Sequence, residues 1–151
     1  IEAKHRQYAR LVAGGGNHDG GRLLAGGEGR PDGTRDGWFV RPTLFTDVNN
    51  QMTIAREEIF GPVLCIIPYQ DEAEAVAIAN DTEYGLSAMV LGRDTGRARR
   101  VAQQIVSGRV LVNTLAHEPK APFGGFKHSG VGREMGEWGI GAFMEPKSIV
   151  G

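Results

Sequence analysis

Hydrophobic and polar positions alternate along the second half of the chain in blocks that predict strands and helices in turn. Apolar, often β-branched runs predict buried strands from Val63 to about Tyr69 and from Leu86 to Leu91, and a third strand from Arg109 to Asn113. Between these runs, apolar residues recur at three- and four-residue steps after Asp71 and after Asp94, as on one face of a helix. The order strand, helix, strand, helix, strand predicts an α/β fold in which parallel strands are joined by right-handed crossovers.

Each of the two helices has a candidate cap and an inner face. Asp71 and Glu74 have the spacing of a capping box, Asp94 precedes the second helix, and Ser107-Gly108 is expected to end it. The inner faces are expected to consist of Ala73, Val76, Ala77 and Asn80 in the first helix, and of Ala98, Val101, Ala102, Ile105 and Val106 in the second.

The first 45 residues are less regular. Ile1 to Val12 places Ile1, Tyr8, Leu11 and Val12 on one side, which predicts the last turns of an amphipathic helix. Gly14 to Gly37 contains ten glycines in 24 residues, so we expect a surface excursion with one short strand, Arg22 to Ala25. Trp38 to Phe45 predicts an edge strand interrupted by proline.

The last part of the chain is also rich in turns. Thr114 to Pro122 predicts an irregular loop, and the glycine-rich stretch from Phe123 to Glu134 follows it. Gly136 to Ala142 is expected to form a helix weakened by glycine, and Phe143 to Val150 a closing strand.

Composition excludes several classes of function. With 17 basic and 18 acidic residues the chain has no charge excess that would draw it to nucleic acid or to an anionic membrane. No apolar run approaches the roughly 20 residues of a membrane helix. A single cysteine rules out an internal disulfide framework and favours a reducing, cytoplasmic location.

Few residues carry obvious chemistry. Cys65 lies within an apolar strand and has no histidine near it in sequence, so we expect an inert thiol. The four histidines are scattered without metal-ligand spacing, and no metal site is expected. Gly130 to Gly136 is similar to a dinucleotide-binding loop, but it has one residue too many and no strand leads into it. A tight turn is the alternative, with Lys127, Arg133 and Glu134 as a surface ion-pair group.

The stretch Glu57-Glu58-Ile59-Phe60-Gly61-Pro62-Val63 is the most distinctive in the chain. Pro62 fixes its own φ and disfavours helix at Gly61, so the two carboxylates and the aromatic ring are expected on a stiff turn that leads into a strand at a sheet edge. Such edges often hold ligands. A solvated acidic turn before a core strand is the alternative.

Taken together, these stretches resemble the C-terminal part of the NAD(P)-dependent aldehyde dehydrogenase superfamily over nearly the whole chain. The residues that carry the resemblance are Gly37 to Thr43, Glu57 to Val63, Ala79-Asn80 with Tyr84-Gly85-Leu86, Gly108 to Asn113, and Pro122 to Glu134. The resemblance implies a partial three-layer αβα domain with a parallel sheet. Residues 1–143 would belong to the catalytic domain, and residues 144–151 would begin an oligomerisation strand.

The resemblance also implies roles for individual residues. Glu58 would bind the ribose hydroxyls next to nicotinamide, and Phe60 would line the nicotinamide pocket. Glu134 would support proton transfer from behind the residues that contact the substrate. Leu115 and Phe123 would form the apolar wall of the substrate entrance. The cofactor would be NAD or NADP, between which the sequence gives no preference.

The family's nucleophilic cysteine, general-base glutamate, oxyanion-hole asparagine and Rossmann domain all lie upstream of the resembling segment. We therefore expect a fragment, cut at both ends, that is inactive alone and comes from an enzyme that oxidises an aldehyde to a carboxylic acid. Its partners would be the aldehyde, the remainder of the enzyme chain and further copies in a homo-oligomer. The alternatives are a short non-catalytic paralogue that acts as a binding or assembly module, and an unrelated small α/β nucleotide binder.

Overall fold

The computed structural model of the chain describes residues 2–17 and 20–151. The chain divides into two units, Ile1–Gln70 and Asp71–Gly151. The assignment of residues 1–143 to a catalytic domain and of residues 144–151 to an oligomerisation strand stays a prediction.

The first unit is a small three-stranded sheet with a long helix. Its elements are α1 (Glu2–Asn17), β1 (Arg22–Ala25), β2 (Thr43–Thr46), α2 (Thr53–Arg56) and β3 (Val63–Cys65). The central strand β2 pairs with β1 antiparallel and with β3 parallel, and Thr43 lies opposite Val63. The ladder continues past β3, because the Ile66 amide donates to the Phe45 carbonyl oxygen at 2.8 Å.

The core of this unit confirms the predicted face of the first helix. Tyr8, Leu11 and Val12 are buried, and Tyr8 and Val12 belong to one cluster with Phe45, Val48 and Ile54. Full burial of a side chain such as that of Phe45 contributes roughly 1.5–3 kcal/mol relative to exposure. Ile1, which was expected on the same face, lies outside the described residues.

Three expectations for the first unit were wrong in detail. The helix continues through the first glycines to Asn17, because packing of its apolar face outweighs a propensity cost of about 1 kcal/mol per glycine. The strand predicted from Trp38 begins only at Thr43, directly after the proline, and it is central, not at an edge. β3 is shorter than predicted and only half-buried, since Leu64 and Ile66 are exposed while Cys65 and Ile67 turn toward the core.

The second unit carries the regular alternation. Its elements are α3 (Glu72–Asn80), β4 (Tyr84–Gly85), β5 (Ser87–Val90), α4 (Thr95–Ala102), β6 (Arg109–Val112), β7 (Phe126–Lys127) and α5 (Gly136–Ile140), and a 3₁₀ turn follows at Gly141–Phe143. β5 and β6 are parallel, with α4 packed on both, and β4 pairs with β7 antiparallel. The parallel pairs and their intervening helices confirm the α/β class.

Both predicted helix caps are confirmed. The Asp71 carboxylate accepts a hydrogen bond from the Glu74 amide at 2.9 Å, and the Asp94 carboxylate accepts one from the Arg97 amide at 3.0 Å. The bond from the Arg97 amide lowers the pKa of Asp94 below its ordinary value. The stabilisation from this cap is therefore present at neutral pH and is lost as the pH falls through that lowered pKa.

Several other expectations for this unit were wrong. α4 ends at Ala102, five residues before Ser107, although Ala98 is buried as predicted. Ala73 and Ala77 are exposed. Asn80 makes polar bonds: its side chain donates to the Gln104 carbonyl oxygen and accepts from the Val106 amide, both at 2.8 Å.

Two longer-range expectations also failed. β3 belongs to the sheet of β1 and β2, so it does not form one sheet with β5 and β6 as the alternating pattern predicted. The nearer strand β2 provides its parallel partner instead. The closing strand predicted from Phe143 to Val150 is not formed within the described chain: Phe143 ends a 3₁₀ turn, and the residues after it are exposed and pair with no strand of this chain.

Candidate functional site

The acidic turn is held by backbone hydrogen bonds on both sides. At its start, the Glu57 amide donates to the Thr53 carbonyl oxygen at 2.9 Å and so ends α2. At its end, the Pro62 carbonyl oxygen accepts from the Thr43 amide at 2.8 Å, and the Val63 amide donates back to Gly61 at 2.8 Å. The turn is therefore stiff, as the proline predicted.

Phe60 occupies an unusual place at the centre of this turn. Its φ is +50°, in the left-handed region that residues with a side chain rarely adopt, and its side chain is 80% exposed. The Lys4 ammonium lies 5.4 Å from the centre of the ring. Strained, exposed side chains that the surrounding structure holds in place are frequent at ligand sites.

Glu58 and Phe60 line one open cleft of about 480 Å³, within the range of small-molecule sites. Ile54, Val63 and Ile67 form part of its apolar wall. The turn that carries Glu58 and Phe60 lies at the amino end of β3, and the cleft extends along the strand to Ile67, whereas open α/β sheets usually bind ligands at the carboxyl ends of their strands. The positions of Glu58 and Phe60 are therefore set by the proline turn and do not follow the tendency of α/β sheets to bind ligands at the carboxyl ends of their strands.

Cys65 also lines this cleft, but its chemistry does not fit a nucleophile. Burial raises the pKa of its thiol, and the sulfur lies 3.7 Å from the Ile54 carbonyl oxygen, to which it donates. A raised pKa reduces the thiolate fraction at neutral pH. This agrees with the expectation of an inert thiol.

In the second unit, the backbone joins Phe123 directly to Glu134. Each amide donates to the other residue's carbonyl oxygen, both at 2.8 Å. α5 packs behind this bridge so closely that a Cβ atom added to Gly139 would lie 2.9 Å from the Glu134 carbonyl carbon. The Glu134 side chain itself is exposed.

The two expected wall residues of the substrate entrance differ in their surroundings. Phe123 is half-buried, and the Arg109 guanidinium carbon lies 4.9 Å from the centre of its ring. Leu115 lies in the irregular loop and is 81% exposed.

In the glycine-rich turn, the side chains of Lys127 and Arg133 bind backbone carbonyl oxygens. The prediction that these two residues form a surface ion-pair group with Glu134 was therefore wrong. The Lys127 ammonium donates to the carbonyl oxygens of Asn80 at 2.8 Å and of Thr82 at 2.9 Å. The Arg133 guanidinium donates to the Gly125 carbonyl oxygen at 3.0 Å and lies over the Phe126 ring. Both cations thus fix the turn that leads to Glu134.

Asn113 is a structural feature that the sequence pattern did not reveal. Its φ is +53°, and its side chain both accepts from the Gly92 amide and donates to the Gly92 carbonyl oxygen, each at 2.8 Å. It therefore closes β6 against the end of β5 where the loop toward Leu115 starts. An asparagine after a strand is the one signal that could have indicated it, since asparagine tolerates positive φ.

The structure therefore brings the predicted site residues together in two pairs. Glu58 and Phe60 share a cleft in the first unit, and Phe123 and Glu134 share a backbone bridge in the second. Within residues 2–17 and 20–151, no group of three or more His, Cys, Asp or Glu side chains could hold a metal ion. No helix in the described part of the chain is long and apolar enough to cross a membrane.

These parallel strand pairs, the helices that connect them and the two fixed turns define a segment of an α/β domain. The sequence model of the aldehyde dehydrogenase family matches residues 1–149. The chain belongs to the aldehyde dehydrogenase family.

Individual relatives agree with this assignment. A curated protein of Staphylococcus aureus, provisionally named an aldehyde dehydrogenase, is 52% identical over 136 residues, which cover 90% of this chain and 29% of that protein. The structure of aldehyde dehydrogenase C from Pseudomonas syringae, a mutant in complex with NAD⁺ and octanal, matches with a TM-score of 0.94 and 49% identity over 99% of this chain and 31% of its own.

A Mycobacterium tuberculosis aldehyde dehydrogenase in complex with NAD⁺ matches with a TM-score of 0.90 and 48% identity, over 95% of this chain and 29% of its own. The chain thus spans about 30% of the length of the relatives it matches.

Proposed function

We propose that this chain is the C-terminal part of an NAD(P)-dependent aldehyde dehydrogenase that oxidises an aldehyde to a carboxylic acid. The observation that carries the proposal is the cleft lined by Glu58 and Phe60, on a turn whose sequence resembles the family's cofactor-binding motif. The NAD⁺ complexes of the Pseudomonas and Mycobacterium relatives favour NAD as the cofactor.

The residues of the cleft fit the nicotinamide end of that cofactor. The Glu58 carboxylate is exposed and can accept hydrogen bonds from two adjacent ribose hydroxyls. The exposed ring of Phe60 provides a flat apolar face for the nicotinamide, and the hydrogen-bonded turn fixes the backbone that carries both. The bound nicotinamide would supply the hydride acceptor.

The Phe123–Glu134 bridge would serve the substrate side. Phe123 and Leu115 would contribute apolar surface at the aldehyde entrance. The exposed Glu134 carboxylate would hold or relay a proton behind the reacting groups, from a backbone fixed by the bridge and by α5. The octanal in the Pseudomonas complex is an aldehyde for which an apolar entrance is suitable.

The enzyme is also proposed to be a cytoplasmic homo-oligomer, in which this segment functions together with the rest of its chain. The near balance of charge gives no attraction to nucleic acid or anionic lipid.

The covalent step of aldehyde oxidation needs a thiolate, and the raised pKa of Cys65 makes this residue unsuitable.

The 151-residue chain alone is accordingly expected to be inactive and to bind NAD⁺ too weakly to measure by calorimetry. Two hydrogen bonds from ribose hydroxyls to one carboxylate provide about 3–6 kcal/mol. Micromolar affinity needs about 8 kcal/mol after the cost of association.

The test is titration of the chain with NAD⁺ in a calorimeter, together with an assay for NADH formation from octanal. The intact enzyme that contains the segment is the positive control, and it should give both a binding isotherm and NADH. A micromolar isotherm for the segment would contradict the expectation, and an intact enzyme that reduces no NAD(P)⁺ with any aldehyde would overturn the proposed function itself.

A further inference from the structure

Arg109 contacts Phe123, which is proposed to line the aldehyde entrance, although Arg109 itself has no role in the proposed reaction. It is the first residue of β6 and lies opposite Ser87 of β5 in the parallel ladder. Its guanidinium carbon lies 4.9 Å from the centre of the Phe123 ring, and its Nε donates to the Ser87 hydroxyl at 3.2 Å. The guanidinium is thus bound to Ser87 and lies over the ring of Phe123.

The backbone around Phe123 is already fixed by other contacts. The bridge to Glu134 holds the amide and the carbonyl group of Phe123. The next residue, Gly124, lies so close to the start of β6 that a Cβ atom added to Gly108 would be 1.7 Å from its carbonyl oxygen. With the backbone held, the main freedom left to Phe123 is rotation of its ring, and Arg109 restricts that rotation.

We infer that Arg109 is a positioning residue that sets the orientation of the Phe123 ring and so tunes the apolar contact with long-chain aldehydes. The inference rests on the proposed function, in which Phe123 lines the aldehyde entrance. A guanidinium over one face of the ring leaves the opposite face for an alkyl chain. A short aldehyde makes little contact with such a surface, so the effect should grow with chain length.

The test uses the intact dehydrogenase and compares acetaldehyde with octanal. We expect Arg109→Met to raise the KM for octanal about threefold, the size that a partly exposed cation–π contact supports, while the KM for acetaldehyde and for NAD⁺ and the kcat stay within error. Arg109→Lys should keep part of the effect of arginine, because it retains the cation but not the planar stack. Arg99→Met, which removes an exposed arginine of α4, is the matched control and should change none of these constants.

Two further variants keep the inference separable from the proposed function. Phe123→Leu should raise the KM for octanal by itself, and adding Arg109→Met to it should have no further effect. If Phe123→Leu changes nothing, the proposed substrate role of Phe123 is wrong. If Phe123→Leu acts and Arg109→Met does not, only the inference on Arg109 is overturned.

A general loss of structure would have a different signature. It would raise the KM for acetaldehyde, octanal and NAD⁺ alike, and that outcome for Arg109→Met would also overturn the inference. If Arg109→Met does not fold, Ser87→Ala takes its place, because it removes the hydroxyl that anchors the guanidinium. It should shift the KM for octanal in the same direction by a smaller factor, and no shift would count against the inference.

Discussion

Glu58→Gln in the intact enzyme is expected to lower kcat/KM for NAD⁺ by about 10- to 100-fold, whereas Glu57→Gln should change it less than about twofold. The amide replaces a charged acceptor of two hydroxyl bonds by one neutral acceptor and one donor, so the nicotinamide ribose loses its charge-assisted hydrogen bonds. Glu57 is adjacent in sequence, is also exposed and lines the same cleft, but its backbone ends α2, and the family motif assigns the ribose to the second glutamate.

The measurement is steady-state kinetics with NAD⁺ varied, combined with the isotope effect of an aldehyde deuterated at its carbonyl carbon. Poor positioning of the nicotinamide should make hydride transfer slower and increase the observed isotope effect in Glu58→Gln. Glu57→Gln is the matched control, because it makes the same chemical change one residue away. Equal effects of the two variants on hydride transfer would refute the assignment of roles.

Gly108→Ala is expected to lower the free energy of unfolding by about 1–3 kcal/mol or more. The added Cβ atom would lie 1.7 Å from the Gly124 carbonyl oxygen and 2.8 Å from the Gly124 carbonyl carbon, and both atoms are backbone that cannot rotate away. To relieve this clash, the start of β6 must move away from Phe123 and Gly124, and this movement would break the packing next to the bridge between Phe123 and Glu134. Overpacking of this kind costs about 1–3 kcal/mol or more, a large part of the stability of a small domain.

Denaturant unfolding and soluble yield measure this effect, and Gly141→Ala is its control. Gly141 has helical backbone and no atom within 4 Å of an added Cβ, so alanine there should be neutral or slightly stabilising. Equal unfolding midpoints for the two variants would indicate that the segments around Gly108 and Gly124 separate at little cost, against the packing described above.

The elements that depend on local rules were predicted well. Asp71 and Asp94 cap their helices because a capping side chain and the amide it binds are three residues apart. Strands β5 and β6 were evident because apolar runs are local as well. The end of α4 was missed because apolar spacing continued to Val106, while Asn80, more than 20 residues away in sequence, binds Gln104 and Val106 outside the helix.

Burial was harder to predict than secondary structure. The apolar runs that form β3 and β5 were expected to be buried strands, yet Leu64 in β3 and Met89 in β5 are exposed. Sequence pattern reports which residues can be buried, whereas a covering element decides which of them are. In the second unit α4 packs on β5 and β6, and Ala98 is its buried residue.

In the candidate site, too, local features were predictable from the sequence and contacts through space were not. Glu58 and Phe60 are two residues apart on one proline turn, so sequence alone placed them together. The stack of Arg109 on Phe123 joins residues 14 apart through space, and no local rule predicts it. The bridge between Phe123 and Glu134 likewise depends on how the glycine-rich turn closes. Lys127 fixes this turn through the Asn80 carbonyl oxygen, 47 residues away, and Arg133 through that of Gly125 within the turn.

The position of β3 has a practical consequence for work with the chain on its own. β3 is at the edge of its sheet, and its side chains Leu64 and, just beyond the strand, Ile66 are exposed. A strand with open hydrogen-bonding groups and apolar side chains is a template for pairing with other chains. Produced alone, the chain should therefore self-associate as its concentration rises, and light scattering across a dilution series would detect this. A charged substitution at Leu64 should suppress the association without touching the Glu58 turn.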